Sequence, residues 1–140
     1  MPKPGYFDYQ RAMPTLWGKA DYVTHLERGV VWVGTPSHGG LMVGKAVARK
    51  RLSPEAQEVG ELCGSWLCYE EDCAYAVPLY ENPQWALMCQ FVVPPTVAQL
   101  EDVLKNWHPD YYERHTGRHV PDGESYIRRS NVLYTHTEGV

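Results

Sequence analysis

The sequence has no run of about 18 apolar residues, the length a membrane-crossing helix needs, so no membrane partner is expected. Its opening, Met1-Pro2-Lys3-Pro4-Gly5-Tyr6, lacks the apolar core of a signal peptide, and the expected compartment is the cytoplasm. There is no C-x-x-C pair among the four cysteines. Cys63, Cys68 and Cys73 are spaced by five, which on a helix turns each thiol about 140° from the last, so convergence on a metal is not expected. Reduced, buried cysteines are the reading, with no metal and no cofactor. The phosphate-loop pattern G-x-x-x-x-G-K-[ST] is missing, because Gly44-Lys45 is followed by Ala46. Nor is there an excess of positive charge: the net charge is −4, which argues against a dedicated nucleic-acid binder. A weak nucleic-acid interaction is left to one basic face, Lys45, Arg49, Lys50 and Arg51, which reads more simply as a solvated helix surface. No repeat or low-complexity segment interrupts the chain.

The chain does have enough apolar side chain for a core. Apolar residues make up 44% of 140 positions, with five Trp and ten Tyr, which fits one domain without disulfide support. Three parts are expected. Residues 1–20 read as an irregular arm docked through Tyr6, Phe7, Tyr9, Leu16 and Trp17; residues 21–125 read as the domain; residues 126–140 read as a polar tail. Short apolar anchors for the last stretch are expected at Tyr126-Ile127 and at Val132-Leu133-Tyr134.

Within the domain, Tyr22–Leu26 and the β-branched Val30–Val33 read as a hairpin turning at Glu27-Arg28-Gly29. After the Thr35–Gly40 loop, Met42–Arg51 reads as an amphipathic helix, and Ser53-Pro54 starts another with a good cap and a pre-organised first position. Tyr69–Val77 follows helical spacing, with acids in its first turn and Pro78 as its stop. Trp85–Val93 is ambiguous by period, and its β-branched end favours a strand. Thr96 with Gln99 forms a capping box for a helix striped by Val97, Leu100, Val103, Leu104 and Trp107. His108-Pro109 ends it, and one more turn closes at Gly117. The order predicts an α+β fold: a small, mainly antiparallel sheet with three to four helices packed on one face.

Two stretches carry candidate chemistry. In Thr35-Pro36-Ser37-His38-Gly39-Gly40, Ser37 and His38 are a candidate nucleophile and base, and Gly39 and Gly40 leading into a helix, with Lys45, are a candidate anion cradle. A turn whose Thr35 and Ser37 satisfy local backbone explains the same residues without catalysis. In Glu70-Glu71-Asp72, a carboxylate drawn toward the core needs a partner, and a pair between His38 and Glu71 or Asp72 is expected to join the two stretches. His115 and His119 have the i, i+4 spacing that shares a metal on a helix, but Gly117 lies between them.

Thr35–Gly40, Leu52-Ser53-Pro54-Glu55, Cys68-Tyr69-Glu70-Glu71-Asp72-Cys73 and Trp107-His108-Pro109-Asp110-Tyr111-Tyr112-Glu113 together resemble a family of small bacterial proteins classed as a domain of unknown function. Its members are carried by phages, plasmids and other mobile elements, and the resemblance spans residues 22–125. It implies an origin and a bacterial host, and it suggests that the loop and the acidic stretch share one centre. It implies no mechanism. The expected function is that of a phage or mobile-element accessory protein that binds a host or defence-system protein. The alternative is a small hydrolase or nucleotide-handling enzyme using Ser37, His38, Glu71 and Asp72.

Overall fold

The computed structural model describes residues 14–89, 91 and 93–131. Tyr6, Phe7 and Tyr9 of the expected arm, and the Val132-Leu133-Tyr134 anchor, lie outside the described residues. The fold is α+β. A five-stranded, wholly antiparallel sheet runs in the order β3-β4-β5-β7-β6, from β3 (Tyr22–Glu27), β4 (Val30–Gly34), β5 (Gly39–Gly44), β6 (Glu61–Cys63) and β7 (Trp66–Glu70). A separate two-stranded hairpin, β1 (Pro14–Thr15) with β2 (Gly18–Lys19), occupies the end of the stretch expected to be irregular.

The period of two explains both faces of the sheet. Val30, Trp32, Leu41, Val43, Leu67 and Tyr69 point to one side and join the main core with the helices. Val31, Val33, Met42 and Cys68 point to the other and pack with Ala20, with Trp17, Val23, Cys63 and Trp66 partly buried around them. Helices therefore do cover a single face, as predicted, but there are more of them: α1 (Lys45–Arg51), α2 (Pro54–Val59), α3 (Ala76–Glu81), α4 (Pro83–Met88), α5 (Val97–Trp107) and α6 (Pro109–Thr116). A 3-10 turn at Asp122–Glu124 and a helical segment over 126–131 follow.

The expected hairpin forms, with Gly29 at φ 80° in its turn. So do the caps. Ser53 Oγ accepts from Ala56 N–H, Thr96 and Gln99 close their reciprocal box, and α6 ends at Gly117 in the left-handed region.

Three readings fail. Met42–Arg51 is not one helix: its first three residues continue β5, because Leu41 and Val43 bury against the helices while Met42 buries on the opposite face. Tyr69 ends a strand rather than starting a helix, and α3 begins only at Ala76 with Pro78 inside its first turn, where a missing N–H costs nothing. The Trp85–Val93 strand is instead α4, started by Pro83 and anchored by the fully buried Trp85, whose indole N–H donates to Glu27 Oε1 at 2.6 Å. Its tail exposes Leu87 and Met88; Gln90 and Val92 lie outside the described residues.

Candidate functional site

The Thr35–His38 turn satisfies itself. Thr35 Oγ1 donates to His38 carbonyl at 2.6 Å and accepts from His38 N–H at 3.1 Å, while Thr35 N–H donates to the same carbonyl at 2.7 Å. Ser37 and His38 are both exposed. Gly39 and Gly40 are not the entry to a helix but the first residues of β5, with Gly40 paired to Val33 on one side and Glu70 on the other. Their lack of a side chain has a steric cause. A Cβ on Gly39 would lie 2.4 Å from the Val33 carbonyl oxygen, and one on Gly40 would lie 2.2 Å from that of Tyr69. Lys45, the third member of the expected anion cradle, begins α1 at the far end of β5, about 16 Å of extended chain from Gly40. Its N–H donates to the Ser65 carbonyl at 2.9 Å. The free N–H groups at a helix start that the anion reading needs are therefore not found at Gly39 and Gly40.

The structure does bring the loop and the acidic stretch side by side. Glu71 N–H donates to Gly39 carbonyl at 3.0 Å. Yet among the described residues no hydrogen bond or ion pair joins Ser37, His38, Glu71 and Asp72 to one another through their side chains, and all four are exposed. The partly buried carboxylate of this stretch is Glu70, not Glu71 or Asp72.

Glu70 closes β7 and gathers the turn that follows it. Its carboxylate accepts from Asp72 N–H (2.6 Å), Cys73 N–H (3.1 Å) and Ala74 N–H (2.7 Å), and from the Cys73 thiol (3.1 Å). Burial alone would raise its pKa; the hydrogen bonds from Ala74, Cys73 and Asp72 outweigh burial and hold it below the ordinary value. Burial, reinforced by the Glu70 carboxylate, pushes the Cys73 thiol up to about 12. His108, at the junction of α5 and α6, reaches the same place. Its Nε2 is buried with no hydrogen-bond partner, and burial lowers its pKa against the pull of Glu70. Ligand atoms of Glu70, Cys73 and His108 all lie within 4.8 Å of one another. At neutral pH the centre thus holds a fixed carboxylate, a protonated thiol and a neutral imidazole. A thiol in that state is a poor nucleophile.

Of the other cysteines, Cys68 and Cys89 keep to the core reading, and burial raises both thiols to about 12, while Cys63 is only partly buried. His115 and His119 do not converge. His115 Nδ1 pairs with Glu55 at 3.0 Å and approaches Glu81 at 3.4 Å, while His119 Nδ1 pairs with Glu113 at 2.8 Å. Of the basic face on α1, Arg51 is engaged by Glu27 at 3.2 Å.

Two polar features escape the pattern of the sequence. Glu81, with a side chain only 7% exposed, accepts from Ser53 N–H (2.7 Å), Ser53 Oγ–H (2.6 Å) and the Tyr111 hydroxyl (2.6 Å), tying α2, α3 and α6 together. Arg128 reaches from the 126–131 segment to Glu113 (2.8 Å), Asp110 (2.6 Å) and the Val120 carbonyl (2.6 Å), and its hydrogen bonds hold the Glu113 carboxyl at about 2. That clamp shapes a groove of about 530 Å³ lined by Glu55, Glu58, Trp107, Arg114, Ile127 and Arg128, among others. Trp107 is 43% exposed and its ring centroid lies 4.9 Å from that of Tyr126, itself 50% exposed.

Sheet and helices together define a small α+β protein. The family model of a domain of unknown function, DUF7007, matches residues 10–138, and the chain belongs to that family. No curated protein and no solved structure matches it.

Proposed function

We propose that the protein is a phage or mobile-element accessory factor of the bacterial cytoplasm that acts by binding a host or defence-system protein. The observation that carries this reading is the groove at Trp107. There Trp107 and Tyr126 meet as tilted rings half in solvent, Ile127 is 37% exposed, and Arg114 and Arg128 stand beside them. Trp, Tyr and Arg are the residue types that dominate binding hot spots, and they do so where apolar rings are flanked by charge. Glu55, Glu58 and Asp110 complete a rim of mixed sign, which supplies orientation rather than bulk affinity. The exposed state of Ser37, His38, Glu71 and Asp72, and the protonated Cys73, support binding over catalysis.

The test is capture from bacterial lysate with three folded forms of the chain, each checked by thermal melt. Wild type and Leu62→Ser, which alters a 63%-exposed apolar residue elsewhere on the surface, are expected to retain the same protein. Trp107→Ala/Tyr126→Ala is expected to lose it by at least about tenfold. Equal retention by the double variant, or no protein retained by wild type, contradicts the reading.

A further inference from the structure

We propose that Glu70, Cys73 and His108 form a binding site for a thiophilic divalent cation of the zinc type, a property independent of the partner-binding reading. Among the described residues these three, drawn from the end of β7, the turn after it and the α5–α6 junction, present a carboxylate oxygen, a sulfur and an imidazole nitrogen all within 4.8 Å of one another. In a tetrahedral zinc site, donors at 2.0–2.3 Å from the metal are separated by roughly 3.5 Å, so a contraction of about 1 Å seats the ion.

Each donor is in a suitable state. His108 brings a ring nitrogen to this cluster, and its Nε2 is buried without a hydrogen-bond partner, an uncommon condition in a folded protein. Glu70 is held by three backbone N–H groups, the kind of outer support that fixes a ligand's orientation. Cys73 carries a proton on its sulfur and donates it to Glu70. The cation replaces that proton: one metal–sulfur bond forms, one S–H bond breaks, and one proton leaves to solvent for each ion bound. No oxidant or reductant is involved. Access exists from two sides, because Glu70 lines a cavity of about 250 Å³ with Trp17 and Ala74, while His108 lines the groove at Trp107. Water takes the fourth position. A donor set of thiolate, imidazole and carboxylate selects zinc or cobalt over magnesium or calcium, which prefer oxygen alone.

The experiment titrates Co2+ and then Zn2+ into the purified, reduced full-length chain. Co2+ is expected to give a sulfur-to-cobalt charge-transfer band saturating at one equivalent, with release of one proton, and Zn2+ is expected to bleach it. Cys73→Ser and His108→Ala, where they melt cooperatively, are expected to weaken Co2+ binding by at least about tenfold, and Cys63→Ser to leave it unchanged. In the unaltered chain, Zn2+ is expected to protect Cys73 but not Cys63 from alkylation, read by peptide mass spectrometry, so the outcome does not depend on any variant folding. No charge-transfer band, a band that survives Cys73→Ser, or alkylation of Cys73 that Zn2+ does not slow, overturns the proposal.

Discussion

The Thr35–His38 turn and the Glu70–Ala74 turn lie next to each other at one end of the sheet, joined through the Gly40–Glu70 pair of β5 and β7. Both follow a strand and both are rich in polar side chains. The first is closed by a threonine that bonds its own backbone, and its Ser37 and His38 project into water. The second is closed by a carboxylate reaching back into its own chain, and it draws a thiol and a distant imidazole with it. A motif that is conspicuous as text can be a self-contained turn. The chemically unusual groups are those whose satisfaction requires partners from elsewhere in the fold, which is why Glu70, Cys73 and His108 stand out only in three dimensions.

Substitution tests the contrast between the two turns. Glu70→Ala removes the acceptor for three backbone N–H groups and is expected to cost about 3 kcal/mol, measured by denaturant unfolding. The same pair of proteins sharpens it with pH. Because the folded-state pKa of Glu70 lies below the ordinary 4.5, its ionised form stabilises the fold above pH 4.5, and that stability is lost as pH falls through the lower folded value. The stability gap between wild type and Glu70→Ala is therefore expected to narrow as pH drops below 4.5. Gly40→Ala drives a methyl group against the Tyr69 carbonyl and the Trp17 ring, and a cost of about 1–3 kcal/mol is expected. Thr35→Ala deletes one side-chain donor and acceptor from an exposed turn; about 1 kcal/mol is expected. Ser37→Ala and His38→Ala are expected to fall within about 0.5 kcal/mol of wild type, by thermal melt or denaturant unfolding. A cost at Ser37 or His38 comparable with that at Glu70 would erase the distinction between the two turns.

What was legible in the sequence follows from locality. The β3–β4 hairpin, the Ser53 cap, the Thr96–Gln99 box and the Gly117 stop each depend on residues within a few positions, and each forms as read. Met42, Tyr69 and Trp85 were misplaced for a shared reason. Their apolar spacing fits two periods, and burial against distant elements decides between them: Met42 under Ala20 on the far face, Tyr69 with its hydroxyl on the Ala56 carbonyl at 2.8 Å, and Trp85 on Glu27. The strand reading of Trp66–Glu70 had one available signal, the apolar run Trp66–Tyr69 that follows Gly64-Ser65. Nothing local announces that His108, read as a helix stop, also brings a ring nitrogen within 4.8 Å of Glu70 and Cys73. The groove at Trp107 is hidden for the same reason, since Arg128 helps build it from a segment read as a polar tail with an apolar anchor at Tyr126-Ile127.

The Glu70 centre rests as a protonated thiol beside a fixed carboxylate, the state from which the proposed exchange of a proton for a cation starts. The most direct measurement is the pH profile of Cys73 alkylation in the metal-free chain, resolved peptide by peptide. Reaction slower than that of a free thiol is expected at neutral pH, rising only as the thiolate appears toward about 12. A Cys73 that alkylates at neutral pH faster than a free thiol would contradict it and would make the centre a catalytic nucleophile instead.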